Sequence, residues 1–308
     1  MTFPLVSLVL MPLALALVPC VSQTSAQTAR PVAASLTPAA VHVRLNEFLA
    51  VNETGATDER GEHEPWVELF NRKTVQVDVG GMHLTNEVSD PTRWTIPPNT
   101  LIPANSAIMI WLDGETVQGP LHASFSLDPA KGSLWLFDLD GATLVNSFNY
   151  QVQVADVSTG RLLDGGFWVT LLDPSPGQSN LVSACGNRRY GALETEKQKL
   201  QFELQSPAVL GQQATFQLVN AVDNTPALLY IALAPAYIQL PGFASVLLVE
   251  LQFPTVPFMT NELGELSFTL NIPNNTNFEG LTIYMQMLQP FGGYPGSNAV
   301  AFKLCANE

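Results

Sequence analysis

The chain has 308 residues, with 27 Asp and Glu against 13 Lys and Arg and a formal net charge of −14. An acidic surface repels a phosphate backbone, which excludes nucleic acid as a partner class. At about 150 residues per domain the length divides into two, and it is ample for two cores.

The N-terminus, MTFPLVSLVLMPLALALVPCVS followed by QTSAQTA, is an uncharged apolar run leading into small polar residues. It reads as an export signal over residues 1–26, cleaved after Ala26, although no Lys or Arg precedes the apolar run. Pro4, Pro12 and Pro19 and a length short of the roughly 20 residues a membrane helix needs argue against a retained span. Lipidation of Cys20 is the alternative, and Pro19 occupies the place where such sites want a small residue. The tract at 27–40, rich in Pro, Ala and Thr and without alternation, is expected to be a linker.

Order begins at VHVRLNEFLA, where Val41, Val43 and Leu45 alternate with polar residues. The same period-2 pattern predicts strands in WVELFN, TVQVDVGGMHLT, TRWTIP, AIMIWLDG, SLWLFDLDG and ATLVNSFNY, each bounded by turn residues. Gly80-Gly81 fits a bend, and DLDG, with Gly141, fits a hairpin turn. Trp66, Trp94, Trp111, Trp135 and Trp168 are read as core aromatics. Asp156, Ser158, Arg161 and Asp164 make a polar cluster, read as structural fastening with Arg161 paired to a neighbouring Asp.

A Pro-, Gly- and Ser-rich stretch then marks a domain boundary, with a linker expected at 181–199. Alternation resumes at KLQFELQ and continues through ATFQLVNA, ALLYIALA, SVLLVELQF, ELSFTLNIP, LTIYMQML and AVAFKLC. The apolar block Ala227 to Phe253 is read as consecutive strands, since Pro235, Pro241 and Gly242 break it and Gln239, Glu250 and Gln252 are costly in lipid. Of three cysteines, Cys20 leaves with the signal. Cys185 and Cys305 are expected to form a disulfide that clasps the ends of the second domain.

The series LNEFLAVN, PWVELFN, VDVGGMHLT, DPTRWTIP, IPANSAIMIW, LHASFSL, DLDGATLVNSF, DVSTGRLLDG and PSPGQSN, over about residues 41–180, resembles the lamin tail domain of bacterial exported proteins. That resemblance implies an immunoglobulin-like β-sandwich used in attachment and recognition, with no catalytic centre to transfer. SPAVLGQQATFQL, NELGELSFTLNIPN, GLTIYMQM and SNAVAFKLC more loosely resemble small C-terminal β-sandwich modules of bacterial exported proteins.

The stretch DERGEHEPWVELFN gathers acids beside a histidine. No metal ligand set is assigned from it. A calcium ion would take Asp58, Glu59, Glu62 and Glu64, with Asn52 or Glu53 nearby, and the competing reading is a solvated loop between strands. The EF-hand spacing fails, and HEPWV lacks the second histidine of a zincin and carries Pro65 where a helix must run. His42, His63, His83 and His122 fit no zinc spacing, and His122 is read as a structural hydrogen-bonding residue. No nucleophile elbow, P-loop or dinucleotide fingerprint is present.

The expected fold class is all-β: a signal peptide, then two β-sandwiches at 41–180 and 200–308, the first immunoglobulin-like and of lamin-tail type. The expected function is that of a secreted or cell-surface, non-enzymatic binding or scaffolding protein, without catalytic residues or cofactor. Its partner would be an extracellular or envelope protein or glycan, met through exposed loops and strand edges of the first domain. The alternatives are an extracellular hydrolase of glycans or phosphoesters built from scattered carboxylates, and a calcium-stiffened adhesion spacer.

Overall fold

The structure is a computed structural model that describes residues 36–183, 185–191, 200–239, 246–289 and 296–306. The expected signal peptide, Cys20, the first part of the 27–40 linker and residues 192–199 of the second linker lie outside them.

Strands in the first half are β1 (Val43–Leu49), β2 (Trp66–Asn71), β3 (Val77–Asp78), β4 (His83–Thr85), β5 (Trp94–Thr95), β6 (Leu101–Ile102), β7 (Ser106–Trp111), β8 (Gly132–Phe137), β9 (Leu144–Tyr150), β10 (Ser158–Arg161) and β11 (Trp168–Leu171). The second half contributes β12 (Asn187–Gly191), β13 (Gln201–Leu204), β14 (Gln213–Val219), β15 (Pro226–Ala232), β16 (Pro235–Gln239), β17 (Val246–Val249), β18 (Val256–Met259), β19 (Leu266–Asn271), β20 (Thr282–Leu288) and β21 (Ala299–Lys303). The fold is all-β. A 3₁₀ turn at Thr276–Phe278 is the one helical element among the described residues, and no described helix is long and apolar enough to cross a membrane.

A ten-stranded sheet in the order β18-β15-β20-β21-β12-β11-β10-β1-β2-β7 runs through both halves, and smaller sheets β5-β4-β8-β9, β13-β14-β19, β16-β17 and β3-β6 accompany it. One apolar core joins β1, β2 and β7 to β4 and β8 through Val43, Leu45, Leu69, Ile110, Leu84 and Leu134. A second packs Phe202 and Phe216 of the three-stranded sheet against Leu229, Met285 and Phe302. A third gathers Val169, Leu171 and Tyr190 with Leu247, Tyr284 and Ala301. Side chains alternate along a strand, so β20 and β21 are covered on both faces. Met285, Met287, Val300 and Phe302 point into the second core, and Tyr284, Leu288, Ala299 and Ala301 into the third. Gln286, also buried, serves β17: it accepts from the Leu248 amide at 2.8 Å and donates to the Val246 carbonyl at 3.0 Å.

Several expectations change in detail. Within the 181–199 segment expected as a linker lies β12, whose residues pair with β11 on one side and β21 on the other. Asn187, Arg188 and Arg189 conceal it because Tyr190 is the one large apolar side chain in the strand. The end of the 27–40 linker is docked: Thr37 donates to Asp138 from its amide at 2.6 Å and its hydroxyl at 2.7 Å, and Ala40 enters the first core. TVQVDVGGMHLT divides into β3 and β4 at the glycine pair. A Cβ on Gly80 would lie 2.8 Å from backbone atoms of Pro97, Pro98 and Asn99, and Gly81 has φ +88°. Trp66, Trp94 and Trp111 are buried, while Trp135 and Trp168 are half-buried.

Cys185 and Cys305 form a disulfide across a sequence separation of 120. The Cys305 amide and carbonyl also bond to Ala208 and Leu210, which ties the C-terminus to the segment after β13.

Candidate functional site

The acidic loop after β1 is organised by three short side chains. Asp58 Oδ1 accepts from the amides of Arg60 and Glu62, both at 2.8 Å, while the Asp58 amide donates to the Glu62 carbonyl and Gly61, at φ +82°, turns the chain. Burial pushes the Asp58 carboxyl up, but the Glu62 and Arg60 amides and nearby His122 outweigh it and hold its pKa below the usual value. Asn52 spans the base of the loop, donating to the carbonyls of Ala56 at 2.7 Å and Glu64 at 3.0 Å. Asp156 fastens the near side by accepting from the Glu53 and Thr54 amides and the Thr54 hydroxyl.

Opposite stands the chain leaving β7. Trp111 exchanges backbone hydrogen bonds with Leu121 and Ala123, which places His122 beside Asp113 and against the acidic loop. The imidazole is 1% exposed, with Nδ1 2.5 Å from Asp113 Oδ2 and Nε2 3.0 Å from Glu59 Oε2. Burial lowers the His122 pKa, yet the bonds to Asp113 and Glu59 overcome it and hold the imidazole above its ordinary value. A carboxylate oxygen each from Asp58 and Asp113 and a ring nitrogen of His122 lie within 4.8 Å of one another.

Of the four calcium candidates, Asp58 and Glu59 therefore reach this cluster. Glu62 is exposed, 3.4 Å from the Gln118 side-chain amide. Glu64 is half-buried, and burial followed by the charges of Asp113, Glu62, Glu115 and Asp58 raises its pKa. Asp113 went unread as a candidate because it lies 55 residues beyond Asp58, inside the pattern of a core strand. The spacing of Asp113 and His122, nine residues apart across a strand end, was the available signal.

A second group of acids is wholly interior. A register shift between Leu45 and Glu47 in β1 buries both Asn46 and Glu47 and sets Glu47 opposite Glu68 of β2. Glu47 accepts from the Ser158 hydroxyl at 2.6 Å and from the Ser175 amide and hydroxyl at 3.0 and 2.7 Å. Glu68 accepts from the Gly177 amide at 2.5 Å. Burial, then the Glu47 carboxylate, pushes Glu68 from the ordinary 4.5 to about 9, and burial also raises Glu47 against its hydroxyl and amide donors. Glu68 Oε2 and Asn46 Oδ1 are buried acceptors with no donor. A proton retained on Glu68 supplies a donor where two acceptors lack one.

The 156–164 cluster serves as fastening, in a different pairing from the expected one. Arg161 donates to the Leu45 and Gly166 carbonyls, both at 3.0 Å, and lies 4.5 Å over the Trp168 ring. Its fork spans two backbone segments, so Asp164 instead accepts from Asn46 at 3.0 Å, from the Asn180 amide at 2.7 Å and from Ser179. Asp156 holds the acidic loop, and Ser158 holds Glu47.

The cavities among the described residues include three of moderate size. One of about 310 Å³ is lined by apolar side chains between the sheets of the second half, among them Ile231, Leu270, Phe278, Met285 and Phe302. One of about 290 Å³ lies along Phe148 to Val154 beside Thr159 and Thr170. A third, of about 230 Å³, has Leu49, Trp66, Pro174, Pro176 and Asp156 on its walls. Asp156 is the one acid lining these three, and its oxygens are already bonded to Glu53 and Thr54.

No family model matches the chain, and none of the curated proteins does. Among solved structures, the human OSCAR ligand-binding domain aligns over 84% of this chain and 96% of its own length at 13% identity, with a TM-score of 0.18. Red sea bream transglutaminase aligns over 87% of this chain and 31% of its own length at 11% identity, also with a TM-score of 0.18. Likeness at that level carries no argument about function.

Proposed function

We propose that the chain is an exported, non-enzymatic binding or scaffolding protein, its first half of lamin-tail type, that engages an extended strand of an extracellular or envelope protein. The observation that carries this reading is strand β18, which ends the ten-stranded sheet among the described residues. Leu251 (65% exposed), Phe253 (47%), Val256 (41%) and Met259 (58%) crowd on and before it. The stretch LQFPTVPFM contains no charged residue in a chain of net charge −14. Sheet edges are ordinarily guarded by charges, prolines or a covering element. Pro254 and Pro257 are the guards here, and the exposed side chains match recognition by strand addition, in which main-chain bonds give affinity and alternate side chains give specificity.

The buried acids support the same reading over a hydrolase. A glycosidase needs two carboxyl groups reaching substrate from the walls of a cleft. Glu47 and Glu68 are wholly buried, and three of their four carboxylate oxygens bond to Ser158, Ser175 and Gly177. The disulfide fits an oxidising compartment.

The test is affinity capture from envelope extracts with wild-type protein and with the double variant Val256→Lys, Met259→Lys, both checked for an unchanged melting temperature. The reading expects a partner recovered by the wild type and lost by the variant. Equal recovery by both, or turnover of a glycan or phosphoester by the wild type, would overturn it.

A further inference from the structure

The contact between the acidic loop and the end of β7 is more than a pin between two loops. Asp58 Oδ1 is fully used by the Arg60 and Glu62 amides, whereas Oδ2 is buried without a donor on a residue 8% exposed. A buried carboxylate oxygen left without a donor is costly, and it leaves a lone pair free to ligate. The Asp58 carboxylate lies within 4.8 Å of the Asp113 oxygen and His122 nitrogen, and the Asp113 and His122 side chains are each 1% exposed. Two carboxylates and an imidazole thus converge in the interior, with Glu59 bonded to the imidazole from the solvent side.

We propose that Asp58, Asp113 and His122 form a binding site for a first-row divalent transition metal of zinc type, with the fourth position left to solvent. The imidazole decides the class of ion, because calcium takes oxygen ligands alone whereas zinc accepts nitrogen and carboxylate oxygen together. With metal–ligand bonds of about 2.0–2.2 Å, neighbouring ligand atoms stand roughly 3.5 Å apart, so the side chains must close by about an ångström. His122 would ligate through Nδ1, the nitrogen that faces Asp113, while Nε2 keeps its bond to Glu59, which fixes the ring's proton and orientation. The proton on the ligating nitrogen leaves to solvent as the ion arrives.

The test uses the full chain, stripped with chelator and titrated with zinc by calorimetry and by thermal melting, and separately with cobalt followed by visible absorption. The proposal expects one zinc per chain, an upward shift of several degrees and the absorption of a low-symmetry four-coordinate cobalt site. In Asp58→Asn the amide oxygen still accepts from Arg60 and Glu62, so the metal-free protein should still fold cooperatively, with a lower melting temperature from the lost charge, while zinc affinity falls by at least about tenfold. His122→Gln should abolish the cobalt band, and Asp58→Asn keeps the test decisive if that variant fails to fold. Absence of saturable one-to-one binding, or wild-type affinity in Asp58→Asn, would overturn the proposal. So would stabilisation by calcium and not by zinc, which would mean an oxygen-only ligand set.

Discussion

Glu68 shows how a single buried side chain turns packing into pH dependence. Its folded state holds a proton to about pH 9, while an unfolded glutamate loses it near 4.5. The stabilisation is therefore complete below about pH 4.5 and drains away as the pH rises towards 9. Glu68→Gln, which carries the neutral form permanently, should leave the melting temperature near pH 5 little changed and raise it above the wild type at pH 8. Melting curves across that range check this, and parallel curves for the two proteins would refute it. Gly80 supplies a second prediction at this scale. Gly80→Ala forces a methyl group into the backbone of residues 97–99 and should cost about 1–3 kcal/mol in chemical denaturation.

The same residues show what a sequence can and cannot disclose about a site. Asp58 and Glu59 stand out because they are neighbours in a polar run, and chain proximity is what a reader sees. Asp113 and His122 join them only through the pairing of Trp111 with the 121–123 segment, which no local pattern announces. Glu47 and Glu68 look like the polar face of ordinary alternating strands. The register shift at Asn46 and the cover of Ser158, Ser175 and Gly177 place them inside instead.

At the scale of elements, alternation located β14 and β19, whose burial follows a period of two, and also β1 and β2, whose sequences alternate although both of their faces are covered. It missed β10 and β12, whose residues are mostly polar, small or charged and are held by neighbours on both sides. Arg189 explains part of the stability of β12. It forms a two-pronged pair with Asp173, at 2.7 Å from Nη2, and reaches Glu203 of β13 at 2.5 Å, so its guanidinium is held charged. The edge strand β18 also escaped the reading, since LQFPTVPFM has two prolines and no alternation. Expected recognition through strand edges of the first half thereby gives way to a proposal centred on an edge in the second. Adding charge there should also reduce self-association: Val256→Lys, Met259→Lys should stay monodisperse at concentrations where the wild type begins to associate, as read by light scattering.

For the molecule as a whole, the ten-stranded sheet is the unifying element, because β11, β12 and β21 carry its hydrogen bonding from one half into the other. The disulfide stands beside this seam: Cys185 precedes β12 and Cys305 follows β21, the two strands that pair. Closing so long a loop contributes about 2–5 kcal/mol in the chain-entropy account, so Cys185→Ser, Cys305→Ser should lower the denaturant midpoint by a corresponding amount. If recognition belongs to the β18 edge, a photo-crosslinking residue at Val256 should join the protein to one recurrent partner in envelope extracts. The same residue at Val117, 89% exposed in the other half, should not. Equal crosslinking from both positions, or none from Val256, would contradict the assignment of this chain as a strand-edge binding protein.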